Sequence, residues 1–431
     1  MSSRRSVDPD ESIQRMAAHA RLKHISIDHV IPGMFVAGVD VPWYRTPFLS
    51  HRWRVEDVAT IQQMKDCGIR IVTIDISKGK DVRAAARDHK SGAAGIPASR
   101  EAVEAPQQPV RPETASAHAM YAEAQEAMER IFADLEHNLP PSPAAAKAVV
   151  SDILTQIADD RAALMAQYAF HKLKRFDGSL AAHSLDTCIL SLIVAAESGL
   201  DEPKQFQLGL GALLHDVGYA RLPHNLVRRR DECSDQERLL LRQHPELGIA
   251  TLAELEGLDN DVRRVVAEHH ERGDGSGFPS ARTQDAISEL AKIVGIIDWY
   301  DGMISRRGGR PAMLPHDAVR RLFLAGEKNQ FDKSLIEIVI RSIGVYPAGS
   351  LVRLNTGEQA VVVAINPQHR LKPHVKIIGG PRGESYASPL CLDLAAQTED
   401  REPRSVAQVL DPAHDRVNVA MYLDDIHKEA A

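Results

Sequence analysis

From about Gln167 to Ile343 one apolar-patterned segment follows another: CILSLIVAAESG, QFQLGLGALLHDVG, DQERLLLRQHPELGIATLAEL and ISELAKIVGIIDWYDGM. Each is long enough for several helical turns, and short polar or glycine-bearing joints separate them. This succession predicts an all-helical core over residues 167–345. Two more helical stretches, Ala119 to Leu135 and Ala144 to Phe170, lead into it across residues 118–166. The second carries Val149, Ile153, Ile157 and Leu164 on one face, and Pro140, Pro141 and Pro143 break the chain between the two. Both could pack on the core or on a second copy of the chain, which leaves a homodimer open.

The flanks have other periodicities. Residues 1–23 carry mixed charge and read as a flexible tail. Residues 24–80 alternate strand-like pieces such as MFVAGVDV with the helical pattern VEDVATIQQMKDCG and the strand IRIVTID, a small α+β domain. Residues 81–117 are rich in Ala, Pro, Gly and Glu and predict a linker. After the core, SLVRLNTGEQAVVVAIN reads as two strands around a turn and HVKII as a third, a short C-terminal β unit over residues 346–397 before a polar tail, 398–431. The expected class is therefore mainly α, with an all-helical core, a small α+β N-terminal domain and a C-terminal β unit.

A net charge of −7 over 431 residues provides no basic footprint for duplex nucleic acid or an anionic membrane. Positive charge for a phosphorylated ligand must then be local. No run approaches the roughly 20 apolar residues that cross a bilayer, and MSSRRSVDPDES lacks the apolar centre of a secretory signal. The expectation is a cytoplasmic protein without membrane contact. Cys67, Cys188, Cys233 and Cys391 show no CxxC spacing, which argues against a disulfide framework or a cysteine zinc site. The compositional anomaly is histidine, 19 residues, and histidine is the commonest metal ligand.

Within the core, His183 in AAHSLD, His215 and Asp216 in LLHDVG, His244 in RQHPELG, His269 and His270 in HHERGDGSGFP, and Asp298 in GIIDWYD can all bind metal. Singly, each reads as well as a capping or solvated residue. That reading weakens for Asp298, since an ionised carboxylate among Ile293, Val294, Ile296 and Ile297 is costly to bury without a counter-charge. His215 and Asp216 end the apolar run LGLGALL, which carries both inward. Imidazole and carboxylate without thiolate suit Fe, Mn, Zn, Co or Ni. The set exceeds what one tetrahedral ion uses, so two divalent transition-metal ions sharing a carboxylate is the natural count.

Taken jointly and in order, LLHDVG, QHPELG, HHERGDGSGFP and IIDWYD resemble the HD-GYP family of metal-dependent phosphodiesterases, a branch of the HD superfamily. The segment from His24 to Lys80 is similar to the small uncharacterised domain that often precedes such cores in bacteria, and the strands after Gly349 fit the same architecture. The resemblance implies hydrolysis of the bacterial messenger cyclic di-GMP, with two ions, Fe, Mn or similar. It implies His183, His215, Asp216 and Asp298 around one ion and His244, His269 and His270 around the other, with Asp216 bridging and a hydroxide between the ions attacking phosphorus in line. It further implies a loop of Gly277, Phe278 and Pro279 at the active-site edge, able to touch partners such as GGDEF diguanylate cyclases. Asp301 and either Arg307 or Arg310 fall on the substrate side.

Three positions depart from the family pattern. Where the family usually reads HDxGK, this chain reads HDVGY, so Tyr219 replaces a cation, with Arg221 two positions on as a partial substitute. The third-ion glutamate is Ser179, four residues before His183, which favours two ions and a linear pGpG product. GYP has become GFP, which loses a hydroxyl and keeps the ring. Alongside hydrolysis stands a reading from another class, a receptor or interaction module that binds metal and the messenger without cleaving it.

Overall fold

The computed structural model describes residues 22–39, 53–80 apart from 56, 67, 68 and 77, 113–397 apart from 138, 140, 175–178, 254, 256 and 306–311, and 403–423. The chain divides into two units, residues 1–105 and 106–431. In the first, β1 (Leu22–Ser26), β2 (Phe35–Val39), β3 (Trp53–Arg54), helix α1 (Val58–Asp66) and β4 (Ile71–Asp75) follow in chain order. The strands pair antiparallel in the order β1-β4-β2-β3. Alternation in IVTID buries Val72 and Ile74 with Met34, Val36 and Met64. The unit is α+β, as its mixed periodicity predicts.

The second unit opens with α2 (Glu113–Glu136) and α3 (Pro143–Lys174), which pack on each other. Helix α3 breaks at Asp160, whose carboxylate accepts from the Ala163 amide at 2.9 Å and restarts the helix as an N-cap does. Then come α4 (Leu180–Ser198), α5 (Glu202–Leu214), α6 (His224–Arg228), α7 (Asp235–Leu241), α8 (His244–Leu252), α9 (Asn260–Glu268), α10 (Glu289–Ile304), α11 (Pro315–Glu327) and α12 (Lys333–Ile343).

Helix α4 is the axis of this bundle. Ser179 caps its start by accepting from the Ala182 amide, and Gly199, at φ 73°, ends it in the left-handed conformation that glycine tolerates. Leu185, Ile189, Leu192 and Ile193 are fully buried against α5, α10 and their neighbours, each contributing about 1.5–3 kcal/mol of hydrophobic stabilisation. Among the described residues α4 alone is long and apolar enough to cross a membrane, a segment that the composition reading passed over, and most of it is buried inside the fold.

Three boundaries differ from those read in the sequence. Glu113–Ala117, assigned to the linker, is the first part of α2, and Ala117 is buried; alanine-rich sequence suits a helix once a partner surface exists. The rest of that linker and the first 21 residues lie outside the described residues. DQERLLLRQHPELG, read as one helix, is α7 and α8 with a break at Arg242 and Gln243, where Pro245 sits in the first turn of the new helix. The C-terminal sheet holds β5 (Leu351–Leu354), β6 (Gln359–Ala364), β7 (His374–Gly379), β8 (Ser385–Asp393) and β9 (Val406–Val409), antiparallel in the order β8-β7-β6-β5-β9. Strand β9 comes from the segment read as polar tail, and Leu410, Val419 and Leu423 of that segment are buried with Ala169 and Phe170 of α3. Average polarity over the segment concealed these spaced apolar anchors.

Candidate metal centre

Helix ends deliver the histidines and aspartates to one place. His183 sits in the first turn of α4, His215 and Asp216 follow the last turn of α5, and His244 opens α8. His269 caps the end of α9 with His270 next to it, and Asp298 lies within α10. Two glycines allow the approach. A Cβ on Gly218 would lie 1.9 Å from the His244 carbonyl oxygen, and one on Gly295 would lie 2.3 Å from that of His269. The tight turn after His215–Asp216 therefore rests directly on α8, and α10 on the His269–His270 turn.

Each histidine is oriented from behind. Nδ1 of His215 donates to the Ala212 carbonyl and Nδ1 of His244 to that of Leu241, both at 2.7 Å, while Nδ1 of His269 donates to the Val266 carbonyl at 3.0 Å. Nδ1 of His183 donates to Asp301 Oδ2 at 2.7 Å. All four rings therefore turn an Nε2 lone pair inward, the arrangement that a metal ligand requires.

Asp216 stands between two groups of these nitrogens. Its Oδ2 is 3.4 Å from His215 Nε2 and 3.8 Å from His183 Nε2, while Oδ1 is 3.4 Å from His244 Nε2 and 3.7 Å from His269 Nε2. Asp298 spans the same gap, with Oδ1 at 3.0 Å from His183 Nε2 and Oδ2 at 3.6 Å from His270 Nδ1. Two sets of ligand atoms result, His183, His215 and Asp216 in one, and Asp216, His244, His269 and His270 in the other. The sequence reading confined Asp298 to the first set; here it reaches both.

The donor set fits divalent cations on two observations. Nε2 of His215 is buried and has no hydrogen-bond partner. Nε2 of His244 and Nε2 of His269 face each other at 3.2 Å, and two lone pairs at that distance repel unless a cation or proton lies with them. The charges agree. Burial works against ionisation of Asp216 and Asp298, yet the surrounding histidines hold both carboxyls well below the usual carboxylate range. Burial pushes His244 down to about 4 and, with His269 beside it, also lowers His270 well below its ordinary value, so both rings are neutral, the form that can ligate a cation. His215 goes the other way: burial lowers it, but the adjacent Asp216 outweighs burial and raises it to about 9. Without a metal, a proton holds that place.

Known proteins resemble the chain over most of its length. The family profile described as HD domain matches residues 152–335, the domain of unknown function DUF3391 matches residues 22–146, and the KOW domain associated with HD domain matches residues 351–399. Over 382 residues, 88% of this chain and 91% of the relative, the sequence is 29% identical to cyclic di-GMP phosphodiesterase PA4108 of Pseudomonas aeruginosa. The chain belongs to the HD-GYP family. It is also 25% identical over 196 residues to cyclic di-GMP phosphodiesterase PdeB of Borreliella burgdorferi, covering 46% of this chain and 51% of that one. Among solved structures, Bd1817, an HDG"Y"P protein from Bdellovibrio bacteriovorus, is similar at 17% identity and a TM-score of 0.43, over 74% of this chain and 98% of that chain.

Within this HD-GYP protein the substrate-side expectations fare unevenly. Phe278 stacks on His270 with ring centroids 4.5 Å apart, its amide donates to the His270 carbonyl, and the Phe278–Pro279 peptide is cis. Gly277 has no room for a side chain, since a Cβ would lie 2.4 Å from the Arg272 amide nitrogen. Tyr219 stacks on the outer face of His244. Arg221 is exposed and its Nε donates to Thr251 Oγ1. Ser179 is occupied as the cap of α4. Arg307 and Arg310 lie outside the described residues. Asp301 requires correction: it is fully buried behind His183, accepting also from Ser305 Oγ, Tyr168 and Lys172, and does not face a substrate.

Sequence reasoning missed three groups at this site. Glu271 is buried and accepts from the Ser280 and Arg282 amides, pinning the GFP loop; its position directly after His269–His270 was the available signal. Arg242 places its guanidinium 5.2 Å from the Phe278 ring centroid, beside the histidines. Lys172, in the basic run HKLKR, gave no signal. The cavity of about 620 Å³ lined by Tyr168, Lys172, Tyr300, Met313 and Ser350 includes none of the seven ligand candidates in its walls.

Proposed function

We propose that this chain is a metal-dependent phosphodiesterase that hydrolyses cyclic di-GMP to the linear dinucleotide pGpG. The observation that carries the reading is Asp216, with one oxygen toward His183 and His215 and the other toward His244 and His269. That is the disposition for two cations a bridging carboxylate apart, with Asp298 as a second carboxylate across the gap. Nitrogen and oxygen donors without thiolate suit Fe or Mn. When bound, such a pair supplies an activated water near neutral pH and screens the anionic phosphodiester.

The chain's own residues do the positioning. His183, His215, Asp216 and Asp298 would hold one ion, and His244, His269 and His270 with Asp216 the other. Phe278, stacked on His270 and faced by Arg242, forms an aromatic and cationic edge against which a guanine ring and a phosphate can lie. With Ser179 committed to capping α4, no carboxylate enters at that position to hold a third ion. Two ions favour release after the first cleavage. Asp274, Ser276, Pro279 and Ser280 of the same loop are exposed, and contact between this loop and a diguanylate cyclase is part of the proposal.

A second reading, a receptor that binds the messenger without cleaving it, draws on Tyr219, which stands where the family carries lysine. Incubating the metal-reconstituted protein with cyclic di-GMP and resolving products over time separates the outcomes. Accumulation of pGpG supports the proposal, GMP as the sole product overturns the two-ion assignment of product, and retention of intact ligand with tight binding establishes the receptor.

A further inference from the structure

Four helices converge behind His183. Lys172 of α3 has a side chain only 11% exposed, and its Nζ lies 2.5 Å from Asp301 Oδ1 on α10 and 3.0 Å from Asp186 Oδ2 on α4. Asp186 is fully buried and accepts from the Tyr121 hydroxyl of α2 at 2.5 Å. Asp301 Oδ1 also accepts from Tyr168, one turn before Lys172, and Oδ2 accepts from His183 Nδ1 and Ser305 Oγ. The chain of contacts runs unbroken from Tyr121 through Asp186, Lys172 and Asp301 to His183.

Two buried carboxylates sharing one ammonium are expensive to assemble, and a pure core would be served as well by apolar side chains of the same volume. Their arrangement does something that apolar residues cannot. Asp301 must stay an anion in a fixed orientation to keep the proton of His183 on Nδ1 and its Nε2 lone pair turned toward Asp216 and Asp298. Ser305 and Tyr168 are neutral donors; Lys172 is the cation that balances Asp301. Asp186, anchored by Tyr121, fixes where Lys172 sits.

We infer that Lys172 is a positioning residue for the metal centre, acting through Asp301 on His183, with Asp186 and Tyr121 setting its place. The inference deepens the two-ion reading proposed above and rests on it. Groups that orient a metal-bound histidine typically change metal affinity 10–100-fold, and Lys172 acts one bond further out, so its removal is expected to weaken one ion about tenfold and leave the other unchanged.

The experiment titrates the metal-free full chain with Co2+, following visible absorption and heat, in the parent, Lys172→Met, His183→Ala and the double variant. Lys172→Met should weaken one ion, and in the His183→Ala background it should have no further effect, because the contact it acts through is gone. Lys172→Arg should recover much of the parental affinity. Tyr121→Phe, a milder change that keeps the core filled, should weaken the same ion by several-fold and be equally silent with His183→Ala; it carries the test if Lys172→Met does not fold. Equal weakening of both ions, additive losses in the double variants, or no change in folded Lys172→Met overturns the inference. A parent that binds one ion overturns the two-ion reading alone, since the coupling of Lys172 to His183 is still read from that ion.

Discussion

Tyr219 lies face to face with His244, ring centroids 4.0 Å apart and planes 13° apart. Tyr219, which in the function proposed above stands in place of a cation, is thus also the backing of a candidate metal ligand. Stacked rings contribute about 0.5–1.5 kcal/mol beyond their burial, which favours the orientation His244 has here. Tyr219→Phe should therefore keep metal content and turnover close to the parent, while Tyr219→Ala should weaken metal binding on the His244 side by several-fold. Tyr219→Lys should raise turnover of cyclic di-GMP at least about tenfold, less than the ~10²–10³ that a preorganised charge can supply, because it also strips His244 of its stacked partner. Steady-state rates with metal content measured on the same samples check this. A slower Tyr219→Lys enzyme with full metal would show that the ring matters more than the missing charge.

Asp216 faces four imidazoles and Asp298 faces two. Asp216→Ala should consequently abolish binding of both ions together, whereas Asp298→Ala should leave one ion bound on the His244 and His269 side. Val217 is fully buried and offers no donor atom, so Val217→Ala should keep both ions while losing stability. Elemental analysis of the purified variants reads all three, and two ions retained in Asp216→Ala would remove the bridge from the account.

Ser179 accepts from the Ala182 amide at the start of the helix that carries His183. Ser179→Ala should cost about 1 kcal/mol of stability through the lost cap without changing the number of ions bound. Chemical denaturation together with metal analysis tests the pair of expectations. Loss of an ion in Ser179→Ala would place this hydroxyl among the ligands.

How far the sequence could be read depended on whether a residue's partners were near it in the chain. The end of α5 was legible because an apolar run, LGLGALL, stopping at His215–Asp216 fixes where those side chains go. The periodicity of α4 and α10 likewise made the helical core plain. Asp301 was misplaced because its partners, His183, Tyr168 and Lys172, lie on α3 and α4, more than a hundred residues away, and no local pattern reports such a meeting. Strand β9 escaped for a similar reason: it pairs with β5, some fifty residues earlier, and Val406 and Val409 pack on that same sheet. The stacking of Tyr219 on His244 was equally hidden, since it depends on Gly218 letting the turn rest on α8.

In the metal-free protein His215 is raised to about 9 by Asp216 despite its burial, above the ordinary histidine value of about 6.5. A group with its folded pKa raised adds stability that is fully present below the unfolded value and is lost as pH rises through the folded one. Stability of the metal-free protein should therefore decline between about pH 6.5 and 9. Metal binding runs the opposite way, because an ion must displace that proton. Apparent affinity on the His183 and His215 side should climb about tenfold per pH unit across the same window and flatten above it. Asp216 and Asp298, held well below the carboxylate range, and His244, at about 4, are already deprotonated there and add no slope. Competition titrations of Mn2+ against a chelator at several pH values, with melting of the metal-free protein in the same buffers, test both directions. His215→Gln should flatten the two profiles together. Affinity independent of pH in the parent would mean that the proton on His215 is not what the ion replaces.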